Sequence, residues 1–334
     1  MNQQSETTAN NEAITVLTQL HGSQIFKDVA AAKQEIARIK EEFNVELPPV
    51  YDEYLAAVSA FREDRLPESS DRFESCLSLL DDKQHVLSAY CCVYLGTIYS
   101  IGREYHHALR YFAQAENTRR EHDHKLAQFL HVNRSAIYIM LDDYEKALEV
   151  SEKAVEHGKH LEAPATYGLA LCNLAVAQAK LSLLDEALLN IEEAVEYSDT
   201  HKFARAFGYA QCYHAYITGL TGDLKKASIL YKKAFEEIKK LDDTFLRIEF
   251  YQYYSAFLYQ CGQYSFAIQF CSGALSGNVL DSNTKAQAAI YTVLADCHRE
   301  LGQLDEEVKY LRTLNTLNRG ELKRSEQNEV HYID

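Results

Sequence analysis

Apolar residues recur along this chain at helical spacing, and the helical segments themselves recur. Each recurrence is marked by a small residue, usually Ala, that follows a Tyr or Leu by three positions and precedes another small residue by seven. The anchors are Ser69, Ala108, Ala147, Ala187, Ala227, Ala267 and Glu307, at intervals of 39 residues twice and then 40. Three positions earlier stand Leu66, Tyr105, Tyr144, Leu184, Leu224, Tyr264 and Leu304. Twelve earlier stand Ala57, Gly96, Ser135, Ala175, Ala215, Ser255 and Ala295, all small, as two helices require where their backbones approach most closely. Seven later come Cys76, Ala115, Ala154, Ala194, Ala234, Ala274 and Leu314, small except in the last unit. Between the early small residue and the anchor lies a break, read from Gly102-Arg103, Asp142-Asp143, Gly222-Asp223, Gly262-Gln263 and Gly302-Gln303. One helix ends there and another starts. The pattern therefore predicts seven helical hairpins over residues 48–317.

The flanks carry weaker versions of the same signal. Ala30 and Ala37 fit the register one period before Ser69, so Glu12–His21 and Gln24–Phe43 are expected to form a degenerate capping hairpin within residues 12–47. Phe26, Val29, Ile36, Ile39 and Phe43 would be its buried face, and Pro48-Pro49 would open the next helix. Residues 1–11 are polar and are expected to be disordered. Residues 318–334 form polar helical sequence with little to bury, expected as a separate terminal helix acting as a cap or a connector.

Segments such as Tyr90–Tyr99 and Tyr105–Ala115 resemble the first and second helices of a tetratricopeptide repeat, over about Pro49 to Leu317. The resemblance implies an all-α fold, a right-handed superhelical solenoid of hairpins whose first helices line a concave binding face. The period departs from the usual 34 residues. In that length the units are similar to those of bacterial signal-responsive arrays, namely the maltose-regulon activator's sensor region and the peptide-sensing Rap-type regulators. In layout the chain is also similar to arrays that precede diguanylate cyclases and histidine kinases.

Composition narrows the function. A net charge of -15 disfavours nucleic acid and anionic membranes as partners. No apolar run reaches about 18 residues and Met1 to Glu12 lack a signal-peptide core, so a cytoplasmic location is expected. The eight cysteines are scattered without a Cys-x-x-Cys pair, which predicts reduced thiols at packing positions. Cys91 and Cys92 are adjacent, and one of them is expected to be exposed and reactive. Nucleotide-binding loops, hydrolase elbows and His-Glu-x-x-His helices are absent from the sequence, so no enzyme and no cofactor is expected. The pairs His106-His107, His122-x-His124 and His157-x-x-His160 lack the companions of a metal site and read as surface or inter-helix residues. Acidic runs on second helices read as solvated faces.

The aromatic content carries the functional expectation, with 23 Tyr and no Trp. Tyr94, Tyr99, Tyr105, Tyr138, Tyr144 and Tyr264 fall at repeat packing positions. Tyr90, Phe129, Tyr209, Tyr213, Tyr216, Tyr253 and Tyr259 fall at first-helix offsets expected to face the inside of the array, where tyrosine's apolar ring and polar tip suit recognition. Asn133 and Asn173 are equivalent positions 40 residues apart. The tetratricopeptide resemblance implies that these amides bond the backbone of an extended peptide, the alternative being a chance coincidence of two asparagines on exposed helices. With Glu249 and Gln252 they define an expected groove with a polar centre, aromatic walls and a mildly acidic end. Such a surface would take a peptide, a protein segment or a small effector. Two other readings stay open: a sensory input region of a larger signalling enzyme, and a scaffold that forms a homodimer through its end repeats.

Overall fold

The computed structural model describes residues 2–19, 29–80, 85–162, 165–277, 279–280 and 283–330. The described residues contain sixteen helices and no strand. They fall into two compact units, Met1–Ala177 and Gln178–Asp334. Unit 1 holds α1 (Asn2–Gln19), α2 (Val29–Phe43), α3 (Pro49–Arg62), α4 (Leu66–Leu79), α5 (Val86–Ile101), α6 (Tyr105–Thr118), α7 (His124–Met140), α8 (Tyr144–Lys159) and most of α9 (Ala165–Lys180). Unit 2 continues with α10 (Leu184–Thr200), α11 (Ala204–Leu220), α12 (Leu224–Ile238), α13 (Thr244–Gln260), α14 (Tyr264–Ser276), α15 (Thr284–Glu300) and α16 (Leu304–Val330).

The repeated small residues are what let the helices pair. All seven residues twelve before the anchors are buried, and so are the first six anchors. In the first hairpin the two positions touch directly, with the Ser69 hydroxyl donating to the Ala57 carbonyl at 3.0 Å. In the second, a Cβ built on Gly96 would sit 2.6 Å from the Phe112 ring, so α5 and α6 approach to a distance that only glycine allows.

The turns repeat as closely as the helices. Five residues before every anchor the backbone is left-handed: Asp64 (φ 58°), Arg103 (64°), Asp142 (58°), Ser182 (64°), Gly222 (90°), Gly262 (70°) and Gly302 (71°). In six of these seven turns the next amide then reaches back to a carbonyl five residues earlier, as from Glu104 to Tyr99 and from Gln263 to Leu258, both at 2.9 Å. This closes the first helix and turns the chain into the second. Four of these positions are not glycine and hold a conformation that costs a side-chain-bearing residue about 1–2 kcal/mol. Arg103→Gly should therefore raise stability by a net ~0.5–1 kcal/mol, after allowing for glycine's freedom in the unfolded chain. Urea denaturation would show the gain as a higher midpoint, and a lower one would contradict the left-handed turn. Aspartates also cap helices: Asp123, Asp143, Asp223 and Asp243, with Asn283, each accept a backbone amide three residues on, which gives part of the acidic excess a structural use.

Three expectations need correction, and one falls outside the described residues. Residues 2–11, expected to be disordered, lie in α1, because Ala9, Ala13 and Leu17 follow at helical spacing and are fully buried against the rest of unit 1. Gln24 and Phe26 of the expected second helix fall outside the described residues, and α2 is described from Val29. The terminal helix is not separate: α16 runs unbroken from Leu304 to Val330, since Gly320 alone does not stop a helix with strong formers on both sides. Finally, Cys91 and Cys92 are both buried, because α5 is covered on nearly every side, and burial pushes both thiols up, Cys92 to about 12. Neither has the low pKa of a reactive thiol. All eight cysteines are free.

Candidate functional site

Unit 2 gathers the tyrosine-rich set. Tyr209, Tyr213 and Tyr216 follow at i, i+4 and i+7 on α11, and Glu249, Gln252 and Tyr253 follow at i, i+3 and i+4 on α13, so each helix offers one face. The faces meet. The Tyr213 ring lies 6.0 Å from Tyr209 and 5.8 Å, edge on, from Tyr253, and Tyr216 lies 4.2 Å from Tyr253. The Tyr213 hydroxyl donates to Glu249 Oε2 at 3.4 Å. Two cations border the rings: Lys180 Nζ stands 5.4 Å from the Tyr216 ring and 5.8 Å from Tyr253, and the Arg205 guanidinium 5.5 Å from Tyr209. Arg205 is held in turn by Asp243 at 2.6 Å.

Burial sets the electrostatics. Glu249 titrates above the usual carboxylate range because burial strips part of its hydration, although bonds from Tyr213 and Tyr253 and the charges of Lys180 and Lys285 oppose the rise. Tyr213 and Tyr253 are pushed up by burial and by Glu249, so their hydroxyls remain protonated donors. Tyr213 itself is buried, while Tyr209, Tyr216, Glu249, Gln252 and Tyr253 are half-buried and keep accessible surface. The set combines ring faces, hydroxyl donors and one carboxyl, which is equipment for recognition rather than bond-making. Tyr259 stands apart from it, beside Tyr264 at 5.6 Å. A depression of about 380 Å³ lined by Phe207, Gln211, Lys232, Lys233, Glu236 and Glu237 shares no residue with this set and is walled by long surface side chains.

The four site residues expected from unit 1 are tied into packing and local hydrogen bonds. Tyr90 is buried, and its hydroxyl donates to Asp123 at 3.2 Å, joining α5 to the cap of α7. Phe129 is half-buried against the core. Asn133 is half-buried and donates to the Phe129 carbonyl of its own helix at 2.8 Å. Asn173 donates across to α7, to the Val132 carbonyl at 3.0 Å and to the Ser135 hydroxyl at 2.9 Å. Its amide nitrogen thus already serves packing.

Sequence reading missed a second cluster in unit 1. His124 and His131 of α7 meet His157 of α8 and His160 just after it, residues more than twenty-five apart that only hairpin formation brings together. His124 stacks on His160 at 4.5 Å, His131 stacks on His157 at 5.3 Å, and the Nδ1 atoms of His124 and His157 are 3.1 Å apart. His131 Nε2 is 3.9 Å from Glu116, which also binds Arg119 at 2.7 Å. Burial, together with Arg134, His157 and Arg119, pushes His131 down to about 4 against the pull of Glu116. His157 is lowered by burial and by Arg119 and His124. Burial alone would raise Glu116, but its bond to Arg119 and the charges of His131 and Arg134 hold it below the usual range. Among the described residues no three His, Cys, Asp or Glu side chains are arranged to hold a metal ion, and no helix is long and apolar enough to cross a membrane.

Comparison with known proteins agrees with this architecture. Residues 288–320 match the tetratricopeptide repeat family. No curated protein matches the sequence. Among solved structures, the apo form of RapI is similar with a TM-score of 0.65 at 18% identity, covering 82% of this chain and 99% of that one. A Rap protein complexed with competence and sporulation factor gives 0.64 at 15%, covering 97% and 99%. A tetratricopeptide repeat protein from Parabacteroides merdae gives 0.56 at 13%, covering 80% and 93%. The chain carries a tetratricopeptide repeat and has the all-helical fold of tetratricopeptide arrays of the Rap type.

Proposed function

We propose that this protein is a non-catalytic binding module that takes a peptide or an extended protein segment on the first helices of its hairpins, in a bacterial signalling or regulatory role. One observation carries the reading: Tyr209, Tyr213 and Tyr216 on α11 meet Glu249 and Tyr253 on α13 to form a half-buried, hydrogen-bonded aromatic surface. Tyrosines hold shape with few rotatable bonds, so such a surface loses little entropy when a ligand docks. Glu249, which accepts from the Tyr213 hydroxyl, has further oxygen lone pairs with which to accept from a peptide amide. The fold shared with a Rap protein complexed with competence and sporulation factor supports a binding role, and the sensory-input and scaffold readings stay as alternatives.

The test is selection from a random heptapeptide display library, followed by calorimetry of the selected peptide. Tyr216→Ala and Glu249→Gln should each weaken binding by about 1–3 kcal/mol, the scale of a lost ring contact or hydrogen bond in a desolvated site. Peptides that bind both variants as tightly as the parent would move the site elsewhere. Asn133→Ala is expected to weaken binding with little change in melting. For Asn173→Ala the melting also falls, because the Val132 carbonyl and Ser135 hydroxyl lose their donor.

A further inference from the structure

The outer face of the last hairpin is left unpartnered by the described residues, and the repeat register measures how open it is. Four residues after the anchor stand Phe73, Phe112, Ser151, Ile191, Tyr231 and Cys271, all at most 1% exposed, and then Leu311 at 39%. Residues three before and one after the anchor are half-buried in the first six hairpins. In the last they are Leu304 at 65% and Val308 at 44% exposure. Elsewhere this face receives the next hairpin's first helix, as α11 packs on α10 and α15 on α14. On α16 it is a bare apolar stripe at i, i+4 and i+7, the spacing of a helix seam.

We propose that a second copy of this chain covers the stripe, α16 pairing with α16 antiparallel about a two-fold axis. The sequence of the helix is self-complementary about a point midway between Val308 and Lys309. Val308 then meets its own equivalent, and Leu311 of each copy drops between Leu304 and Val308 of the other. Asp305 and Arg312 are both exposed and lie on one flank of the stripe, two turns apart. The same axis sets Asp305 of each copy level with Arg312 of the other, giving two ion pairs beside the apolar seam. A contact that uses one patch twice closes on itself and stops at the dimer. The proposal is independent of whether the tyrosine surface binds a peptide.

Sedimentation equilibrium of the full chain over about 1–200 µM reads the association directly. The wild type should pass from monomer to dimer mass, and Leu304→Glu with Leu311→Glu should stay monomeric with unchanged helicity, since both residues are exposed. Asp305→Arg alone should weaken the dimer about tenfold or more through like-charge contacts. Asp305→Arg combined with Arg312→Asp should restore it, because the swap recreates both pairs. A wild type that stays monomeric throughout overturns the proposal. So does a dimer indifferent to the glutamates, or a charge swap that fails to rescue a dimer the single reversal has broken.

Discussion

Truncating Phe112 to alanine is expected to cost about 3–5 kcal/mol, the range for removing a fully buried aromatic ring. Phe112 is 0% exposed, and its ring fills the space that Gly96 leaves between α5 and α6. The converse change, Gly96→Leu, forces a side chain into that ring and should cost about 1–3 kcal/mol through overpacking. The two are coupled through one volume. Leucine at 96 can occupy part of the hole left by Phe112→Ala, so the double variant should lose less than the two single losses combined. Urea denaturation of the four proteins closes the cycle. Strict additivity would mean that the glycine and the ring do not share the contact.

Acidification is expected to unfold unit 1 before unit 2. An unfolded histidine titrates near 6.5, whereas His131 accepts its proton in the folded state only near pH 4. Between these values the unfolded chain binds a proton that the folded chain refuses, so stability is complete above 6.5, falls as the pH drops, and levels off below 4. The gap corresponds to about 3 kcal/mol from this residue alone, and His157 acts in the same direction. The groups around the pair explain why protonation is resisted: His124 and His160 stack beside them and Arg119 and Arg134 bring positive charge, against Glu116 at His131 and Glu156 at His160. Glu249 has the opposite sign, since a carboxyl with a raised pKa is relieved as it takes up a proton. Hydrogen exchange resolved by peptide should show α7 and α8, where His131 and His157 act together, losing more protection between pH 6.5 and 4 than α13, and more than α11, where the lowered His214 acts in the same direction alone. A His131→Gln variant should flatten the response of unit 1. Equal loss in both units, or a response unchanged by that variant, would rule out the histidine cluster as its source.

The sequence by itself determined the repeat. Small residues at two fixed offsets, a turn five before the anchor and a period of 39 or 40 are local and periodic, so the hairpins could be read without coordinates. The tyrosines of α11 were legible for the same reason, because spacing along one helix fixes which side chains share a face. Tertiary structure alone decided matters that depend on two or more helices at once. Asn173 carries the same residue type as a peptide-binding amide, yet the approach of α7 supplies Val132 and Ser135 as its partners. Cys91 and Cys92 look like one buried and one exposed thiol until α5 is found enclosed on both sides. The four histidines lie in two separate stretches of sequence, and only the closing of α7 on α8 makes them neighbours whose protons exclude one another. Periodicity reports what a single helix presents. Which of those surfaces is covered, and by what, is set by packing between helices, and that holds equally for the open stripe on α16.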